Sequence, residues 1–430
     1  MVHGTVPQTR APLITYDGNV AQPMRSTHEY FTTALLLVVF CSVIATDGSE
    51  SYAGPTQPVD AAFFGMHIHR AAAGTAWPPV TFAGWRLWDA DVSWPQLEPE
   101  RGKWDFNLLD RYVRIAAEQH VDILLTLGPT PAWASARPEE PSNYGKGNAA
   151  EPKLLADWEE YVRVVATRYK DVIHNYEVWN EPNVKGMFTG SSQTMLELSR
   201  AAYRILKSVD PIITVVSPSA TADDGAPWLN QFVALDGCRY ADVIGYHFYV
   251  TPKPPEAMLA LIRKVRTSLR KHECQNKPLW NTESGWASPK QFPSEEEAAG
   301  YLIRTYILNW LMGIQRCYWY AWDNHNWSTL DLTSPAKNQM TKAGAAYSTM
   351  RDWLLGANLR SCVREPSGVW TCSFDRSGSA SWIVWSDQRT QPFALPAGWQ
   401  IRSLVSWTGE ISTVGNSVTV GPAPVLLLGH

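Results

Sequence analysis

Between residues 61 and 356 short apolar runs alternate with amphipathic stretches, and this alternation constrains the fold more than any other feature. The runs are Ala62–His69, Gly84–Asp89, Val121–Leu127, Val172–Trp179, Thr214–Ser217, Asp242–Tyr249, Pro278–Thr282 and Arg316–Trp322. Helical spacing occupies intervening segments such as Leu108–His120, Leu154–Tyr169, Met195–Val209, Glu256–Glu273 and Glu295–Leu311. The last opens with Ser294-x-x-Glu297, a capping box that marks a helix start. Eight strands separated by helices pair in parallel through right-handed crossovers, which implies an α/β chain closed as a (β/α)8 TIM barrel. An open doubly wound sheet is the alternative, yet no G-x-G-x-x-G turn follows the first run.

The helical period stops after Leu355-Gly356. Beyond it lie short alternating runs (Ser381–Trp385, Ile401–Trp407, Ser417–Val420) and turns rich in Gly, Ser, Asp and Pro. These predict a small C-terminal antiparallel β-sandwich packed on the barrel. The expected organisation is an N-terminal extension and signal peptide over 1–53, a catalytic barrel over 54–356 and an accessory β-sandwich over 357–430.

Residues 34–46 are almost wholly apolar, but the run falls short of the roughly 20 residues a spanning helix needs. Arg25 precedes it and Ser51, Tyr52 and Ala53 follow, the order of a secretory signal, with Met24 as a candidate start. An uncleaved anchor is the alternative. Either places the barrel outside the cytoplasm, in a secreted or periplasmic setting where disulfides persist. Cys362 and Cys372 bracket two short strands around a Pro-Ser-Gly turn, suited to a cross-hairpin bridge. Cys238 and Cys274 each lie four residues before a barrel strand, the sixth and the seventh. Equal offsets from neighbouring strands bring both thiols to one height at the bottom face, so they either form a bridge or remain two loop thiols. Cys317 falls within an apolar run and reads as a buried free thiol.

Lys and Arg number 37 against 41 Asp and Glu, a balance that offers no footprint for nucleic acid. The chain carries 21 Trp and 17 Tyr but 12 Phe. Rings with a flat apolar face and a polar handle suit sugar platforms, although cores use them too.

Active sites of such barrels lie where strands end, at the C-terminal face. The fourth run ends Tyr176-Glu177-Val178-Trp179-Asn180-Glu181-Pro182-Asn183, and the seventh ends Leu279-Trp280-Asn281-Thr282-Glu283-Ser284-Gly285-Trp286. Each sets a carboxylate at the mouth beside an indole and an Asn. Two carboxylates converging from opposite sides of a barrel are what glycosidic cleavage requires.

Trp179-Asn180-Glu181-Pro182-Asn183 resembles the acid/base signature of the retaining barrel glycoside hydrolases of clan A. Thr282-Glu283-Ser284-Gly285-Trp286 is similar to that clan's nucleophile strand, and the sandwich is similar to the accessory domain of glycoside hydrolase family 39. The resemblance makes Glu181 the general acid/base, Glu283 the nucleophile and Asn180 the partner of the sugar 2-hydroxyl. It implies that Arg86 holds the nucleophile carboxylate, that the pair His247 and Tyr249 orients it, and that Trp322 floors the cleavage subsite. Trp133 would line a flanking subsite or pack in the core. His67 and His69 share a strand face. Without a third ligand they make a weak metal site, so they read as sugar hydrogen-bonders or packing. No metal or cofactor is implied. Family 39 β-xylosidases carry a different run after the nucleophile. Ser284-Gly285-Trp286 is more similar to bacterial exopolysaccharide-cleaving relatives or family 5 enzymes.

The expected function is retaining cleavage of β-glycosidic bonds in an oligo- or polysaccharide, of bacterial exopolysaccharide or xylan type, by double displacement. Transglycosylation on the same site is one alternative. A non-catalytic polysaccharide-binding protein is another, but it would have lost one of the two Glu. Double displacement calls for carboxyl groups about 5–5.5 Å apart.

Overall fold

The computed structural model describes residues 48–55, 57–286, 292–324, 330–334, 339–376 and 378–429. The apolar segment 34–46, with Met24, Arg25 and Cys41, lies outside the described residues. Among those described, no helix is long and apolar enough to cross a membrane.

Strand β1 (Glu50–Ala53) precedes the barrel. Then come β2 (Phe64–His67), β3 (Gly84–Leu87), β4 (Asp122–Thr126), β5 (Asn175–Glu177), β6 (Thr214–Val216), β7 (Ala220–Thr221), β8 (Ile244–His247), β9 (Leu279–Gly285) and β10 (Arg316–Tyr320). The C-terminal strands are β11 (Asn358–Arg364), β12 (Val369–Arg376), β13 (Ser379–Ser386), β14 (Gln391–Ala394), β15 (Ile401–Val405), β16 (Ile411–Ser412), β17 (Ser417–Val420) and β18 (Val425–Gly429). Helices are α1 (Trp94–Leu97), α2 (Asn107–Gln119), α3 (Leu155–Arg168), α4 (Ser192–Val209), α5 (Ala222–Ala234), α6 (Ala257–Lys271), α7 (Glu295–Leu311) and α8 (Lys342–Leu354).

All eight apolar runs become parallel barrel strands, joined by the two-residue β7, in the order β6-β5-β4-β3-β2-β10-β9-β8-β7. A parallel bridge between Val216 and Val243 joins β6 to the start of β8, where Ser217 N donates to Val243 O at 2.9 Å, and closes the ring. Leu124, Val216, Val243, Trp280 and Tyr318 fill its interior. A Cβ at either Gly65 or Gly84 would run into the Tyr318 ring, so both glycines make room for this filling. Helix α7 starts where the capping box requires, with Ser294 Oγ accepting from Glu297 N at 3.1 Å. Between β2 and β3 the chain crosses in turns rather than a helix.

The C-terminal strands form a seven-stranded sheet in the order β1-β11-β12-β13-β18-β15-β16, with the two-stranded β14·β17 as a second layer. Alternate residues face opposite ways. Trp370, Phe374 and Trp385 pack with the barrel core, while Val369, Val384 and Leu427 meet Val418 and Val420 of β17. Trp385 Nε1 donates to Glu256 Oε1 at 3.0 Å, next to the buried Arg304, and ties sheet to barrel.

Residues 50–53 fall in the segment that the sequence assigns to the N-terminal extension. They are the edge strand of the accessory sheet, paired antiparallel with β11. Tyr52 is buried against it, stacked on Trp370 at 5.5 Å. An inward aromatic on an alternating segment completes a sheet that would otherwise expose β11 as its edge.

The structure bridges Cys362 to Cys372 and Cys238 to Cys274, the latter with a Cα separation of 6.2 Å. Among the described residues Cys317 is the free cysteine; it is buried, and burial pushes its thiol far up.

Candidate active site

Glu181 follows the end of β5, in a segment where Trp179 and Glu181 both take positive φ, 94° and 46°. Such backbone costs of the order of 1–3 kcal/mol per residue and persists only where the surroundings impose it. Here they do: Glu181 N donates to Ser219 O at 2.9 Å, and Asn180 bridges Ser219. Glu283 lies within β9, which continues three residues past the predicted end at Thr282, and is 4 % exposed.

Arg86 on β3 organises the floor and is wholly buried. Its Nη1 donates to Glu283 Oε2, its Nη2 to Asn180 Oδ1 and its Nε to Glu177 Oε2, each at 2.7 Å. With Oδ1 engaged, Asn180 offers its amide NH2 as a donor. Tyr249 OH donates to the other Glu283 oxygen, Oε1, at 3.0 Å. Burial holds the Tyr249 phenol well above its ordinary range, so it stays a donor. His247 Nδ1 lies 3.0 Å from Glu181 Oε1 and 3.9 Å from Glu283 Oε2, between the two catalytic candidates.

One ligand atom each of Glu181, His247 and Glu283 lies within 4.8 Å of the others. That spacing would suit a cation, but a guanidinium 2.7 Å from Glu283 opposes one electrostatically. Burial pushes the Glu283 carboxyl up to about 7, the charges of Glu181 and Asp89 add to this, and His247 and Arg86 oppose it. Burial would also raise Glu181, but the hydrogen bond and charge of His247, with Arg86, outweigh it and hold Glu181 below its ordinary range. The two titrate as a pair that shares one proton near neutrality.

His67 Nε2 donates to Thr282 O at 3.1 Å, and burial keeps its imidazole neutral, so it braces β9 beside Glu283. His69 lies farther out, 6 % exposed, where burial also lowers its pKa. Trp322 is 1 % exposed at the end of β10, and its N donates to His67 O at 2.9 Å. Of the two placements open for Trp133, the structure shows packing: it lies edge-on to Trp94 under the Arg101 guanidinium, its Nε1 tied to Glu98 O.

Sequence reasoning missed Glu177. It is wholly buried and takes hydrogen bonds from Arg86, Thr126 Oγ1 at 2.7 Å and Ser219 Oγ. Burial would raise it, but Arg86 and these donors hold it low. The available signal was an acid inside an otherwise apolar parallel strand, which must find a buried partner. Asp89, three residues after Arg86, was missed as well. It accepts from Tyr144 OH at 2.5 Å and Tyr320 OH at 2.6 Å.

A closed parallel barrel with an arginine-braced carboxylate facing a second one across its mouth has the architecture of the barrel glycoside hydrolases. The sequence model described as glycosyl hydrolases family 39 matches residues 82–321, more than half of the chain. The chain belongs to that family. A β-xylosidase of Caldicellulosiruptor saccharolyticus is 32 % identical over 146 residues, a match that spans 30 % of each protein. In fold, the chain is similar to a family 39 glycoside hydrolase from Bacteroides cellulosilyticus WH2, with a TM-score of 0.68, 18 % identity, and coverage of 86 % of this chain and 81 % of that one. It is also similar to a monomeric β-xylosidase from Caulobacter crescentus CB15, with a TM-score of 0.61, 16 % identity, and coverage of 88 % and 97 %.

Proposed function

We propose that this protein is a retaining β-glycoside hydrolase that cleaves an oligo- or polysaccharide of xylan or exopolysaccharide type, outside the cytoplasm. The observation that carries the reading is the approach of Glu181 and Glu283 oxygens to within 4.8 Å. Inversion needs carboxyl groups roughly 6.5–9.5 Å apart, with a water between carboxylate and sugar. Glu283 attacks the anomeric carbon while Glu181 gives its proton to the departing oxygen. Glu181 then takes a proton from water, whose oxygen displaces Glu283. Arg86 and Tyr249, one on each Glu283 oxygen, stabilise its charge before attack and after release. The xylosidase relative supports a xylose-type glycone, and two disulfides suit an oxidising compartment.

The test is incubation with a 2-deoxy-2-fluoro β-glycoside of a good leaving group, followed by peptide mass mapping. A glycosyl adduct on Glu283 and a β-configured first product by NMR are expected. An α-configured first product would overturn double displacement.

A further inference from the structure

A cavity of about 320 Å³ opens at the strand-end face of the barrel, and the chemistry above leaves it unused. Its walls include His69, Arg70, Asp89, Asp91, Tyr144 and Asp323. These residues sit beyond the ends of β2, β3 and β10 or, for Tyr144, in the loop after β4. Strand β10 is bonded to the nucleophile strand β9, whereas Glu181 and His247 occupy the arc from β5 to β8. A leaving group must lie where Glu181 can protonate it. The cavity is therefore on the side of the sugar that Glu283 retains. Tyr320 connects the two regions, its ring 5.0 Å from His67 and 4.9 Å from His69, its hydroxyl on Asp89.

Two observations mark the cavity as built for a polar ligand. His69 lines it at 6 % exposure; its Nδ1 lies 3.5 Å from Asp323 Oδ1, but neither ring nitrogen has a hydrogen-bond partner among the described residues. A neutral imidazole has one donor and one acceptor, and a buried pair left unsatisfied is costly until something completes it. The second is charge and its preorganisation. Among the described lining residues, Asp89, Asp91 and Asp323 are set against one guanidinium, Arg70. Asp89 is fixed by Tyr144, whose oxygen takes Trp88 Nε1 at 2.8 Å, and Asp323 by His69 N at 2.8 Å and Thr75 Oγ1 at 2.6 Å.

Resting on the hydrolase reading, we propose that this cavity is a subsite for the sugar next to the retained one, and that its carboxylates admit a neutral pyranose and reject a uronate. Sugar hydroxyls donate to fixed carboxylates, and His69 supplies one donor and one acceptor. A uronate would bring a like charge into a recessed, partly desolvated site, where repulsion is strong.

The experiment uses the full chain and aryl β-glycosides of xylose and glucose in three forms. These are the monosaccharide, the β-1,4-disaccharide, and that disaccharide carrying a uronate as its terminal sugar. For at least one sugar the neutral disaccharide should exceed the monosaccharide in kcat/KM by about tenfold or more, and the uronate form should lose that gain. Asp89→Asn should narrow the ratio of neutral to uronate rates. Asp91→Asn, at an exposed position, should do the same to a smaller degree. Equal kcat/KM for mono- and disaccharides in every cleaved pair would overturn the subsite, and so would equal rates on neutral and uronate-tipped forms. If nothing is cleaved and Glu283 takes no fluoro-sugar label, the hydrolase reading itself fails, and the subsite with it.

Discussion

Glu177 and Arg86 form a wholly buried ion pair, Glu177 Oε2 lying 2.6 Å from Arg86 Nη2, with neither side chain exposed. The same guanidinium serves Glu283 and Asn180. Glu177 thus compensates part of the positive charge that pulls Glu283 toward ionisation.

Glu177→Gln should leave Arg86 undercompensated and lower the Glu283 pKa. With Glu283 at about 7, the alkaline limb of kcat/KM lies near that pH, because above it both carboxyls are ionised and no proton remains for the leaving group. In the variant this limb should move toward acid by about one unit. A loss of rate equal at every pH would show that Glu177 is structural only.

Glu181→Gln should lower kcat/KM by roughly 10²–10⁴ on substrates whose leaving group needs protonation, with much less effect on activated aryl glycosides. It also removes the charge that raises Glu283, so the alkaline limb should vanish on activated substrates. Equal losses on both substrate types would take Glu181 out of the acid role.

Glu283→Gln should abolish turnover yet raise stability at pH 8. A carboxyl raised to about 7 in the folded state, from an ordinary value of 4.5, is protonated at pH 5 and forced to ionise at pH 8. The stability associated with its raised pKa is therefore lost as pH rises through 7, by at most on the order of 3 kcal/mol. Melting temperatures of variant and parent should be close at pH 5 and separate at pH 8. A gap of the same size at both pH values contradicts this assignment.

Replacing Cys238 and Cys274 together with Ser opens a closed loop of 36 residues that contains α6. The chain-entropy model gives a loss of roughly 3–4 kcal/mol. The bridge lies where β8 and β9 begin, at the barrel face away from the chemistry. The melting temperature should fall while turnover at 25 °C stays within about twofold. A matching loss of turnover in correctly folded protein would tie the bridge to the site.

Local pattern determined which segments became strands and helices, since burial of apolar runs and capping chemistry act within a few residues. It therefore showed the eight barrel strands, the start of α7 at Ser294 and the mouth positions of Glu181 and Glu283. Tertiary closure decided what those side chains meet. Glu177 has no local signal of its 2.7 Å contact with Arg86, because the two lie 91 residues apart and meet only when β3 and β5 curve around one interior. Trp133 looked equally suited to cleft and core, and packing under Arg101 resolved it. Tyr52 belongs to a sheet whose other strands begin some 300 residues later, a long-range pairing that no local periodicity encodes. The sequence by itself determined which groups could do the chemistry. Closing the barrel set their spacing, their shared proton and the acidic cavity at the strand-end face, because electrostatics and hydrogen bonding depend on distances that only the folded chain fixes.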